Sequence, residues 1–254
     1  MQDLFSVSGK VVLVTGGSRG IGRMIAEGFV RNGARVYISA RKAEACEATA
    51  AELSKLGACT AIACDLSRES ETRRLADEIG EREAALHVLV NNAGANWGAP
   101  YEEYPDSAWD KVLAVNVKAV FNLTRALTPK LEAAASDADP ARVINIGSID
   151  GLQVPALETF AYSSSKAAVH HLTRVLARRL APKRITVNAV APGPFESKMM
   201  AETLERFGDS IASSCPLGRI GTPEDMAGVA IYLASRAGAY VTGVVIPVDG
   251  GIRC

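Results

Sequence analysis

The chain has 254 residues, enough for one large α/β domain with a generous core. Lysine plus arginine equal aspartate plus glutamate at 28 each, so no global field draws nucleic acid or an anionic membrane. No apolar run reaches the length of a membrane span, and Met1 to Ser6 lacks a basic stretch leading into an apolar one, so a cytoplasmic protein with no nucleic-acid or membrane partner is expected.

The first expected strand, Val11 to Thr15, opens directly into Thr15-Gly16-Gly17-Ser18-Arg19-Gly20-Ile21-Gly22 and then a helix near 21 to 32. Glycines in a strand-to-helix turn let the backbone approach a pyrophosphate, while the helix start presents unpaired N–H groups to its charge. A P-loop is excluded, because no Gly-Lys-Ser/Thr follows. The second strand, Arg35 to Ala40, ends at Arg41 and Lys42 with no acid before Glu44. A carboxylate there would bind a free ribose hydroxyl, whereas two guanidiniums, Arg19 and Arg41, suit a 2′-phosphate and favour NADP(H). Two solvated surface charges are the plainer alternative.

After a helix near 43 to 56 comes a third strand, Cys59 to Cys64, with Asp65 and Leu66 placed at an adenine edge. A helix near 68 to 84 leads to the fourth strand, His87 to Asn91, whose end carries Asn92, Ala93 and Gly94. Asn92 either contacts the cofactor or ties neighbouring strands. One long helix is expected from 107 to 134, broken by the acidic loop Ser136 to Pro140 before the fifth strand, Arg142 to Gly147. Ser148 follows, and fourteen residues later Tyr162-Ser163-Ser164-Ser165-Lys166 opens a helix near 162 to 181. Residues four apart share a helix face, so the Lys166 ammonium is expected beneath the Tyr162 phenol, lowering its pKa by up to about three units. The strands Ile185 to Val190 and Val244 to Val248, with a helix near 223 to 235 between them, complete the pattern.

Seven near-continuous apolar strands alternating with helices give one doubly wound parallel sheet, helices on both faces, in a single α/β domain of the Rossmann type. Five cysteines without a C-x-x-C pair read as reduced thiols, and adjacent His170 and His171 point apart, so no metal is expected.

Thr15 to Gly22, Asn91 to Gly94, Asn116, Ser148, Tyr162 to Lys166 and Pro192-Gly193 stand in the order and approximate spacing of the classical short-chain dehydrogenases/reductases, which the chain resembles from Gly9 to Gly251. Within them it is most similar to the β-ketoacyl reductases, particularly the rhamnolipid-associated type. The stretches Phe5 to Lys10, Ala40 to Cys46, Trp97 to Pro100 and Ala237 to Gly251 carry that likeness. The resemblance implies that Tyr162 protonates the alkoxide as NADPH delivers hydride. Ser148 holds the carbonyl oxygen, Lys166 binds the nicotinamide ribose, and Asn116 anchors a proton-relay water. It assigns Gly16, Ser18, Arg19, Gly20, Ile21, Gly22, Arg41, Asp65, Leu66, Asn92, Ala93, Gly94, Pro192, Gly193, Phe195 and Ser197 to the cofactor. Asn96 and Trp97 go to the substrate. A lid is implied near 195 to 215, with Met200, Leu204, Phe207 and Ile211 at helical spacing.

The implied substrate is a 3-oxoacyl thioester, with acyl carrier protein as a candidate carrier and a homotetramer as the assembly. Lys183 matches a carrier-docking base, whereas a second docking position falls on Asp137 and Asp139, where like charges would repel an acidic carrier. A sugar, polyol or xenobiotic carbonyl reductase, and a noncatalytic NADPH-binding protein, stay open as alternatives. A methyltransferase has no use for the serine, tyrosine and lysine.

Overall fold

The computed structural model describes residues 3–196 and 201–254, without the side chains of 201–204, 206, 207 and 209. Ser197 and Met200, and the side chains of Leu204 and Phe207, therefore lie outside the described residues.

Seven parallel strands form one sheet: β1 (Val11–Thr15), β2 (Arg35–Ala40), β3 (Cys59–Ala63), β4 (Val88–Asn91), β5 (Ala141–Ile146), β6 (Ile185–Pro192) and β7 (Val245–Val248). Their order is β3-β2-β1-β4-β5-β6-β7. β1, β4, β5 and β6 are buried along their whole length, as continuous apolar runs require when both faces are covered. The chain winds outward from β1 in one direction and from β4 in the other, which opens a crevice at the carboxyl ends of these two neighbours.

Helices α1 (Gly20–Arg31), α2 (Ala43–Leu53) and α8 (Pro223–Ala234) pack on one face, where Phe29, Val36, Ile38, Leu53 and Leu233 are buried together. Gly28 and Ala227 let α1 and α8 approach closely, since a Cβ on Gly28 would stand 2.5 Å from that of Ala227. On the other face α3 (Glu69–Arg82), α5 (Ala119–Ala134) and α6 (Phe160–Leu180) cover Leu13, Leu89, Val143 and Val187. The helix α7 (Ala201–Ser214) precedes α8.

The long helix expected at 107 to 134 is not continuous. α4 (Asp106–Leu113) gives way to a π-helical turn over Ala114–Lys118 before α5. Asn116 is the cause we assign, because its buried amide bonds groups outside the helix: Oδ1 accepts from Ala95 N–H at 2.8 Å, and Nδ2 donates to Ala95 O and Ser165 Oγ, each at 2.9 Å. The acidic loop stands between α5 and β5, as expected. Asp139 is held between Lys10 (2.6 Å) and the buried Arg142 (2.8 Å), whose guanidinium donates to the carbonyls of Leu233 and Ser235. Among the described residues no helix is long and apolar enough to cross a membrane.

Candidate active site

The glycine turn is locked from below by the β1–β4 pair. Thr15 Oγ1 accepts the N–H groups of Asn92 (2.9 Å) and Ala93 (3.0 Å) and donates to Val90 O, while Asn92 Nδ2 donates to Thr15 O and Gly16 O. The Asn92 side chain thus ties neighbouring strands, one of its two expected roles. Gly16 and Gly20 have φ of +66° and +52°, the left-handed region where a side chain would be strained. A Cβ on Gly17 would meet Ile38 at 2.6 Å, and one on Gly22 would strike the Gly16 carbonyl. Arg19, the N-cap of α1, makes no side-chain capping bond, so the first N–H groups of the helix are left for an anion. Thr49 of α2 braces the turn from outside, its Oγ1 lying 2.9 Å from both Ser18 O and Ala45 O.

At the corner formed by the ends of β2 and β3, Arg19 and Arg41 are exposed and Leu66 is buried. Burial alone would raise the Asp65 carboxyl. The Ser67 hydroxyl and N–H, with Arg41 and Arg68 close by, instead hold it below the usual range. Arg68 is therefore a third guanidinium of this corner that sequence reasoning passed over.

Asn116, Ser148, Tyr162 and Lys166 converge beside the turn. Lys166 Nζ lies 5.5 Å from the Tyr162 ring centre and donates to Ile146 O at 2.8 Å. A Cβ on Gly94 would stand 3.4 Å from Asn116 Oδ1 and 3.8 Å from Lys166 Nζ, so the Asn-Ala-Gly rim and the lysine share one spot. Ser148, two residues past β5, caps the 3-10 turn Ile149–Gly151 by accepting Asp150 N–H at 3.1 Å, and faces the phenol.

The phenol is not acidified as expected. Burial pushes it up to about 12; the Ser148 hydroxyl opposes this and Asp150 adds to it. The same burial brings the Lys166 ammonium down to about 8, against the attraction of Asp150. Desolvation penalises both charged forms and is the largest cause of each shift. Two neighbours carry no motif, and the first of them escaped the sequence reading. Asp150 is half-buried. His170, one turn beyond Lys166, is buried, held neutral by a pKa lowered to about 4 through burial, and wedged against Gly147 and Gly151.

On the substrate side, Asn96 Oδ1 accepts Trp97 N–H at 2.7 Å, and Lys111 Nζ sits 4.8 Å from the Trp97 ring centre. Tyr104 fixes this loop to the start of α6, donating to Trp97 O, accepting Ala161 N–H, and standing edge-on to Phe160 with centroids 5.2 Å apart. Tyr101, beyond this loop, and Val154 and Leu157, ahead of α6, are exposed apolar side chains. On the nicotinamide side, Pro192 closes β6, Gly193 N–H bonds Val248 O, and Gly193 packs so closely that a Cβ would stand 2.7 Å from Asp249 Cα. Phe195 is buried against Gly221. Among the described residues no His, Cys, Asp or Glu cluster could hold a metal.

A glycine turn at the β1–β4 crevice, with serine, tyrosine and lysine beside it, defines the class. The chain belongs to the short-chain dehydrogenase/reductase family of oxidoreductases, and the family model described as enoyl-(acyl carrier protein) reductase matches residues 16–253. It is 51% identical over 255 residues to the rhamnolipids biosynthesis 3-oxoacyl-(acyl-carrier-protein) reductase of Pseudomonas aeruginosa, covering 100% of both chains. The solved Pseudomonas aeruginosa RhlG/NADP active-site complex superposes with a TM-score of 0.97 at 51% identity, again over 100% of each chain. The 5-keto-D-gluconate 5-reductase of Escherichia coli is 34% identical over 99% of this chain and 98% of its own.

Proposed function

We propose that the protein reduces the ketone of a 3-oxoacyl thioester to the 3-hydroxyacyl product with NADPH, in the cytosol. The observation that carries this is the convergence of Ser148, Tyr162 and Lys166 beside the glycine turn. The crevice suits a dinucleotide: glycines leave room for a pyrophosphate, α1 offers uncapped N–H groups, and Gly193 keeps the nicotinamide side narrow. Bound there, NADPH supplies hydride to the carbonyl carbon. Ser148 donates a hydrogen bond to the carbonyl oxygen, Tyr162 transfers its proton to that oxygen, and Lys166 orients the ribose and steadies the phenolate. Asn116 holds the Asn-Ala-Gly rim to α6 and anchors the water through which a proton returns.

Arg19 and Arg41, joined by Arg68, favour the 2′-phosphate of NADPH. Arg41→Asp is expected to weaken NADPH about tenfold or more while sparing NADH. Fluorescence titration of both nucleotides checks this, and equal affinities in the unaltered protein would remove the argument.

The acyl reading is supported by the 51% identical 3-oxoacyl reductase and by the exposed apolar side chains of Tyr101, Val154 and Leu157. Each buried methylene is worth about 0.8 kcal/mol, so kcat/KM should climb about fourfold per carbon along a series of 3-oxoacyl thioesters until the groove is full. The 34% identical keto-gluconate reductase keeps a polar ketone as the second reading. It gains if ketoses outperform the thioesters or chain length makes no difference.

Charge on the carrier matters less in this reading than the acyl end. Lys183 is paired with Glu132, Asp137 faces Arg184 at 3.4 Å, and Asp139 is satisfied internally, so docking attraction and repulsion are both muted. Acyl carrier protein and coenzyme A esters then serve alike. Half-exposed Phe121 on α5 and Val175 on α6 are consistent with helix pairing in a homotetramer.

A further inference from the structure

Two residues beyond Ser148 stands an acid to which the reaction above gives no role. Asp150 lies at the centre of the turn Ile149–Gly151, and its N–H is fixed on Ser148 Oγ. The turn is pressed onto α6 at the level of the catalytic lysine: a Cβ on Gly151 would stand 2.6 Å from both Lys166 C and Ala167 N, and 2.9 Å from His170 Cε1. This packing leaves Asp150 half-buried, with its charge felt at Tyr162 and Lys166. The titratable groups around it are Tyr162, Lys166 and the neutral His170, all on α6; β6, also packed on the turn, carries none. Among the described residues its carboxylate has no ion-pair or hydrogen-bond partner. Among the described residues it is also the one carboxylate whose charge acts on both Tyr162 and Lys166.

We propose that Asp150 is a specificity-determining residue that excludes ketones bearing a carboxylate near the reacting carbonyl and reserves the site for neutral ones. The proposal rests on the ketone-reductase reading and narrows its substrate class. A carbonyl oxygen held between Ser148 and Tyr162 brings groups one or two carbons away into the neighbourhood of Asp150. In a partly desolvated site two like charges at such range repel strongly, and Lys166 offsets only part of this. A thioester places a neutral group there, whereas the free 3-oxo acid carries a negative charge.

Ethyl acetoacetate and acetoacetate share one ketone and differ in that charge. Their kcat/KM values near neutral pH should be compared in the unaltered enzyme and in Asp150→Asn, Asp150→Ser and Asp150→Glu, with NADPH binding as the check on folding. The neutral-to-anionic preference should fall about tenfold in the Asn and Ser variants and persist in the Glu variant. A purely structural role would lower both rates together and leave the ratio alone. A ratio within about twofold of the original in both neutral variants, or an unaltered enzyme that accepts acetoacetate as readily as its ester, overturns the proposal. A ratio that shifts while the thioester series shows no slope supports Asp150 and sinks the acyl reading, so the two failures are distinct.

Discussion

Tyr162→Phe should lower kcat for ketone reduction by about two to four orders of magnitude while leaving NADPH affinity nearly unchanged. The substitution keeps the ring, its packing on α6 and its distance from Lys166, and removes only the transferable proton. Because burial holds the phenol near 12, the group stays protonated throughout the working range and is always ready to donate. The lysine sets the alkaline limit instead. Its pKa is depressed to about 8, so the ammonium is present below that pH and lost above it, and the reduction rate should hold on the acid side and decline as pH rises through about 8. In Lys166→Met that decline should vanish, with NADPH binding and turnover both reduced. Steady-state rates across pH, with nucleotide titration, test all of this. Near-normal turnover in Tyr162→Phe would eliminate it as the acid.

Gly22→Ala should abolish tight NADPH binding and destabilise the fold. The new methyl would strike the Gly16 carbonyl and the Asn92 amide, two groups that cannot swing aside because Asn92 is bonded to Thr15 and Gly16. Overpacking costs about 1–3 kcal/mol even where neighbours can shift, and here relief must come from the cofactor turn itself. Affinity should therefore drop about 10- to 100-fold, with a lower Tm. Gly228→Ala is the contrast: no atom lies within 4 Å of its Cβ position in α8, so it should stabilise by roughly 0.5–1 kcal/mol. Equal effects at the two glycines in thermal denaturation would contradict this account.

The strands were legible because burial on both faces writes an unbroken apolar run into the sequence. Expected and observed ends differ by no more than a residue or two, as at Cys64, His87 and Pro192. The break at Asn116 was not legible, since residues 114–118 contain no glycine or proline and the cause is a tertiary bond to Ala95. Pro129, a nominal helix breaker, sits inside α5 without ending it. At the site, Asn116, Ser148, Tyr162 and Lys166 could be found because their spacing is a motif. The sign of the Tyr162 shift could not, because it depends on how burial and charge compete in three dimensions. Thr49, Arg68, Asp150 and His170 act through contacts with distant segments and leave no local pattern. The ion pairs of Asp139 left no local signal, because its partners stand at 10 and 142.

The Arg142 guanidinium has a bearing on how the chain is made. It sits in the fifth strand, 1% exposed, yet two of its acceptors are carbonyls more than ninety residues later, at Leu233 and Ser235. A nascent chain that has emerged only as far as β5 would have to bury a cation facing Asp139 alone, and stripping a buried charge of its partners is strongly unfavourable. The first half of the sheet is thereby denied a stable existence of its own. Completion waits for the end of α8, which couples a late part of the chain to the fifth strand and favours a single cooperative folding event over a stepwise one.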